Sequence, residues 1–188
     1  MTLNKDLIEL LHTTGLYIPT RTIVEVGPVD EDMLDRMLKN LHALDSTVDP
    51  INIKLSSEGG CVVSARGIYD AIKACKNLVR IICYGEVASS ATLILQAADE
   101  RVMTDNSKLM LHVGSEGIAH DHPRNVDAAY EENRKLEKWM EDIYLDKIKQ
   151  KKKRFTRQNM KTMLTWDRSL TPEEAMSYGL IDIIGEVQ

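Results

Sequence analysis

Residues 78–98, LVRIICYGEVASSATLILQAA, constrain the fold of this chain most. Leu78 to Tyr84 is an apolar, β-branched run, the pattern of a strand, and Gly85 breaks it. Two serines, Ser89 and Ser90, follow. Ala91 to Leu95 is then apolar on nearly every side, the pattern of a buried helix. A serine at the seam between strand and helix lies among unpaired backbone N–H groups, at the positive end of the helix dipole. Negative charge growing on or near its oxygen is stabilised there, as a nucleophile requires. The same seam is also where an ordinary N-cap serine sits.

The chain has 188 residues, enough for one domain with a real core. Hydrophobic residues at 43% and charged residues at 28% mark it as globular rather than disordered. A net charge of -5 argues against a nucleic-acid binder. Cys61, Cys75 and Cys83 form no CxxC pair and sit in apolar contexts, so buried, reduced thiols are expected. The N-terminus has no basic start followed by an apolar run, and no apolar run approaches the roughly 20 residues of a membrane span. A soluble, cytoplasmic protein without membrane partners is expected.

Read in order, Leu3, Leu7, Leu10 and Leu11 can line one face of a short helix within an N-terminal segment, residues 1–20. Thr22–Val26 alternates as a strand, ended by Gly27-Pro28. Asp30 is a candidate N-cap for a helix carrying Met33, Leu34, Met37, Leu38, Leu41 and Leu44. Ile51–Leu55 is a strand, followed by SSEGG and a helix over Cys61–Lys76. Glu100–Thr104 and Lys108–His112 are two short strands. A Gly-containing loop leads into a helical pattern over Val126–Lys153. Thr171, Pro172 and Glu174 form a capping box with proline at the first helical position. Gly179 ends that helix, and Leu180–Ile184 closes as a strand. Alternating strands and helices imply an α/β fold with mostly parallel strands in a single domain, residues 21–188. The 28-residue pattern from 126 to 153 spans roughly 42 Å, against roughly 35–40 Å for a domain of this size. It either crosses the domain or projects toward another subunit.

Three segments carry the chemistry. Ser89 is placed above. His112 ends the strand KLMLH, on the face of Lys108 and Met110 and opposite Leu109 and Leu111; a lone histidine there is also an ordinary surface residue. Asp167 lies in TWDRSLT ahead of a capped helix, where an aspartate is also an ordinary turn residue. Gly59-Gly60 follows a strand and precedes a helix, so its N–H groups are free to face an anion, or simply to make a tight turn. A serine nucleophile needs a base, the base an orienting carboxylate, and the oxyanion N–H donors. This chain offers all four at the edges of sheet elements.

The sequence resembles the ClpP-type peptidases, the proteolytic subunits of Clp proteases, from about Thr22 to Ile184. INIKLSSEGG resembles their strand and Ser-Pro-Gly-Gly turn, and GIYDAIK the helix after it. YGEVASSATLIL resembles the segment holding the nucleophile, SKLMLH the strand ending in the catalytic histidine, and DRSLTPEEAMSYGLIDII the C-terminal signature. The resemblance implies a ClpP/crotonase-like fold with a projecting handle helix at about 126–153. It implies Ser89, His112 and Asp167 as catalytic residues and the N–H groups of Gly60 and Ser90 as the oxyanion hole. It implies no cofactor or metal. It further implies homo-oligomeric, seven-membered rings stacked in pairs, and unfolded polypeptide substrates fed by an AAA+ ATPase. The GxSxG elbow of α/β-hydrolases is absent.

The chain departs from the family pattern at several points. Glu58 replaces the usual proline, Ser90-Ala91 the usual Met-Gly, Val113-Gly114 the usual Gln-Pro, and Thr165-Trp166 a segment with a ring-pairing arginine. The N-terminal segment, which in the family gates the axial pore, matches poorly. These departures keep open a ring-forming subunit with weak or no peptidase activity. A phage-type head-maturation protease and a crotonase-like CoA enzyme are the other readings. His120-Asp121-His122 reads as a solvated loop rather than a metal site, and Lys151–Arg154 as a solvated helix end suited to the dipole.

Overall fold

The structure, a computed structural model, describes residues 4–112 and 123–185, with the side chains of the long helix from residue 127. Leu3, Val113-Gly114 and the His120-Asp121-His122 motif lie outside the described residues. The elements in order are α1 (Lys5–Thr14), β1 (Leu16–Tyr17), β2 (Thr22–Val26), α2 (Glu31–Leu44) and β3 (Ile51–Ser57). Then come α3 (Val62–Ala74), β4 (Val79–Ala88), α4 (Ala91–Ala97), β5 (Glu100–Met103) and β6 (Lys108–Leu111). The last are α5 (Pro123–Lys151), α6 (Arg157–Met163), β7 (Arg168–Leu170), α7 (Pro172–Tyr178) and β8 (Ile183–Ile184).

The sheet runs β1-β2-β3-β4-β5-β8, parallel from β2 onward, with β1 antiparallel at its edge. β6 pairs in parallel with β4 and carries β7 antiparallel on its far side. The expected local signals position these elements. Asp30 caps α2, its carboxylate accepting from Met33 N–H at 2.8 Å. Thr171 and Glu174 close the capping box of α7, with Pro172 in its first turn and Gly179, at φ +77°, ending it.

β4 does not stop at Gly85 as its sequence implies. Leu55 pairs with Cys83 but Ser57 pairs with Val87, so β4 holds extra residues in a bulge. Gly85, at φ +60°, turns the strand there without ending it. Before the bulge β4 pairs with β3 and β5; beyond it Glu86–Ala88 pairs with β6. This change of partners carries Ser89 away from the central strands and toward β6.

The core forms where β3, β4 and α4 meet. Ile51, Ile53, Leu55, Ile81, Cys83, Leu93, Ile94 and Leu95 are all buried. All seven residues of α4 are buried, as its all-round apolar pattern requires. Each large side chain there stabilises the fold by roughly 1.5–3 kcal/mol relative to exposure. The C-terminal half of α5 packs on this core through Met140, Ile143, Tyr144 and Ile148, and the Tyr144 hydroxyl meets Thr92 Oγ1 at 2.5 Å. The two halves of the helix differ. One half docks, while the other, from Asp127 to Lys138, stays largely exposed.

Other expectations need correction. Cys61 is exposed and Cys75 half-buried, and only Cys83 is buried. Cys61 is exposed because it begins α3 at the surface turn after Gly60. The closing strand is only Ile183–Ile184: Leu180 and Ile181 turn into the core, and Asp182 is drawn to Arg101. α6 and β7 carry no strong sequence pattern.

Arg101, buried on β5, donates to both carboxylate oxygens of Asp182, to Gln96 Oε1 at 2.8 Å and to the Gly179 carbonyl at 3.0 Å. Burial raises the Asp182 pKa, but the Arg101 hydrogen bonds outweigh it and hold the carboxyl below its usual value. A depressed pKa contributes stability above the unfolded-state value, and that contribution is lost as pH falls through the folded-state value. Asp182→Asn is expected to cost about 2 kcal/mol near neutral pH. In a chain of this length that lowers Tm by about 4–8 °C. The gap to wild type should narrow below roughly pH 4, which thermal melts across a pH series would measure.

Candidate active site

Ser89 follows the last residue of β4 with φ +53°, a left-handed conformation that a residue with a Cβ rarely adopts. Its surroundings hold it there. Its N–H donates to the Met110 carbonyl of β6 at 2.8 Å, and its carbonyl accepts from Thr92 N–H and Oγ1 at 3.0 and 2.6 Å. The N-cap of α4 is Ser90, not Ser89, and the Ser90 side chain makes no capping bond. The Ser89 hydroxyl is thus not spent on the helix end. It lies 2.7 Å from His112 Nε2.

His112 stands one residue beyond β6, with its side chain 26% exposed. As its alternation predicts, Leu109 and Leu111 are buried on the other face. In the antiparallel β6–β7 pair Leu111 opposes Arg168, so the next pair outward is His112 and Asp167. His112 Nδ1 is 3.4 Å from Asp167 Oδ1, longer than a hydrogen bond, and the Asp167 side chain is 76% exposed. Hydroxyl, imidazole and carboxylate therefore stand in sequence from three elements, with the last contact loose.

Gly59 and Gly60 have φ of +93° and +146°, conformations open to glycine. The turn is strapped to the β2–α2 connection: Val29 N–H donates to the Gly59 carbonyl at 2.8 Å, and Cys61 N–H to the Val29 carbonyl at 2.7 Å. In that parallel bridge the N–H of Gly60 itself points away from Val29. A Cβ on Gly59 would lie 2.6 Å from both Ser89 Cβ and the Ala88 carbonyl oxygen, and 3.0 Å from Ser90 N. The turn is thus pressed against the serine elbow. Gly60 is exposed, whereas Ser90 is fully buried and its Oγ has no hydrogen-bond partner. Of the two expected anion donors, one is open and the other lies beneath the turn.

The two departures that bracket the site are both at the surface: Glu58 is exposed, and Trp166 is 82% exposed. Among the described residues no group of histidine, cysteine or acidic side chains is placed to hold a metal ion, and no helix is long and apolar enough to cross a membrane. Sequence reasoning missed β7, the strand that delivers Asp167. Its three residues, Arg168–Leu170, are too few to show a periodicity.

The partly parallel sheet, the buried α4 and the half-docked α5 define a ClpP-type α/β fold. A mutant ClpP1 from Listeria monocytogenes matches it with a TM-score of 0.80 and 25% identity, over 91% of this chain and 94% of that one. The Clp protease family model matches residues 9–188, and the chain belongs to that family. An ATP-dependent Clp protease proteolytic subunit from Deinococcus radiodurans is 32% identical over 85% of this chain and 78% of its own. Proteolytic subunit 2 from Pseudomonas aeruginosa is 32% identical over 89% of this chain and 82% of its own. The chloroplastic subunit 3 from Arabidopsis thaliana is 30% identical over 94% of this chain and 56% of its own.

Proposed function

We propose that this chain is the proteolytic subunit of a Clp-type protease, a serine endopeptidase acting on unfolded polypeptides. The observation that carries the reading is the 2.7 Å contact between Ser89 Oγ and His112 Nε2 on a strained elbow. In the mechanism His112 takes the hydroxyl proton as Ser89 attacks a peptide carbonyl, then gives it to the leaving amine. Asp167 faces Nδ1, favours the tautomer with the proton there and stabilises the imidazolium. Water, activated by His112, releases the acyl group. Gly60 N–H receives the oxyanion. Ser90 N–H, beside Gly59 at the base of the turn, is the second donor. Each such donor supplies roughly 2.7–4 kcal/mol of transition-state stabilisation.

The exposed half of α5 supports assembly into rings, in which it serves as the handle. Heptameric rings stacked in pairs, an AAA+ ATPase partner and a cytoplasmic location complete the reading, supported by family membership. A ring subunit with weak or no peptidase activity is the second reading. The loose His112–Asp167 contact and the covered Ser90 amide favour it. A fluorophosphonate probe on the assembled protein, with the adduct mapped by mass spectrometry, separates the two. Stoichiometric labelling at Ser89 is expected. An assembled ring without an adduct there would establish the second reading instead.

A further inference from the structure

Glu58 is the exposed residue directly before the Gly59-Gly60 turn. Because Gly59 is pressed against Ser89 and Ser90, the backbone carries this carboxylate to within two residues of the open Gly60 amide. Among the described residues no lysine or arginine pairs with it. The cations of the neighbouring strands are engaged elsewhere: Lys108 with Glu86 at 3.0 Å, Arg168 with Glu174 at 3.4 Å, and Lys54 over the Tyr84 ring at 5.7 Å. The other described carboxylate at the site, Asp167, is mostly exposed and stands on the far side of His112. Negative charge thus flanks Ser89 from both the β3–α3 turn and the β6–β7 pair. Among the described residues the carboxylate of Glu58 answers no cation.

We propose that Glu58 determines substrate specificity, selecting polypeptides with lysine or arginine close to the scissile bond and rejecting those with aspartate or glutamate there. This rests on the hydrolase reading and adds the substrate class to it. Two residues of extended backbone span about 7 Å. At that distance in a water-exposed setting opposite charges favour binding severalfold, and exchanging lysine for glutamate in the substrate counts the effect twice. The discrimination expected is about tenfold, and it weakens in high salt.

The test uses the assembled full chain. A neutral, unstructured polypeptide is digested and its cleavage sites are mapped. Fluorogenic versions are then made with a single lysine or a single glutamate at each position flanking the cleaved bond. Wild type is expected to cleave the lysine version about tenfold faster than the glutamate version at one or more positions. Glu58→Gln should bring that ratio to within about twofold while the neutral peptide is cleaved at nearly the wild-type rate, and Glu58→Lys should invert it. An active enzyme whose ratio is the same in wild type and both variants overturns this inference alone. A wild type that neither cleaves any peptide nor takes the fluorophosphonate overturns the hydrolase reading, and this inference with it.

Discussion

Replacing Ser89 by alanine is expected to lower kcat/KM for a cleaved peptide by about 10^4-fold or more. The hydroxyl is the atom that must bond to the carbonyl carbon, and among the described residues it is the one hydroxyl hydrogen-bonded to His112 Nε2. The change deletes one oxygen and keeps the backbone requirement at φ +53°, so folding and assembly should survive nearly unchanged. Any stability change should be about 1 kcal/mol, the net worth of the hydrogen bond to His112. Size measurement in solution and a melting curve establish that the variant is intact; a peptide assay then reads the chemistry. A wild-type rate in an intact variant would remove Ser89 from the mechanism. It would turn attention to a chemistry driven by backbone amides, as in crotonase-like enzymes, which a thioester substrate would reveal.

Gly59→Ala should damage both the fold and the activity. The new Cβ would meet Ala88 O and Ser89 Cβ at 2.6 Å, and φ +93° strains any residue with a side chain. Relief requires the turn or the elbow to move by a sizeable fraction of an ångström. The elbow is held by Met110 and Thr92, so either motion misaligns Ser89 with Gly60. The expected losses are about 2–3 kcal/mol of stability and about 100-fold in kcat/KM. Gly27→Ala is the matched control. Its φ of +110° imposes comparable backbone strain, but no atom lies within 4 Å of the added Cβ. It should lower Tm and leave peptide cleavage within a few fold. Equal activity losses in the two variants would show that strain alone, rather than contact with the elbow, governs the site.

Where the pattern was long or chemically unusual, sequence and structure agree. Seven consecutive residues of α4 are buried, which only an all-round apolar run permits. Thr171 and Glu174 accept from backbone N–H groups at the start of α7, Pro172 brings no N–H there to leave unpaired, and the Gly179 N–H donates to carbonyls at its end. The face of His112 follows from the two-residue period of β6. What the sequence concealed was tertiary in origin. Gly85 is a break in a list of residues but a bend in a strand, because β6 supplies partners beyond it. Asp167 looks like a turn residue until β7 pairs with β6, and three residues cannot announce such a pairing. Cys61 belongs to an apolar run, yet it starts α3 beside Gly60 and faces water. That the Ser90 amide lies under the turn follows from how closely Gly59 approaches it, which no local pattern encodes.

The carboxylate that faces His112 enters the chain 55 positions later, after α5 and α6 have intervened. Polypeptides emerge from the ribosome N-terminus first, at about 5–20 residues per second. A nascent copy of this protein therefore exposes serine and imidazole for seconds before the third partner exists. β7 must then add antiparallel to an edge already in place. Under the proposed function, hydrolytic competence is in this way deferred until β7 has been made, and a subunit without it is poorly equipped to cut the unfolded chains around it.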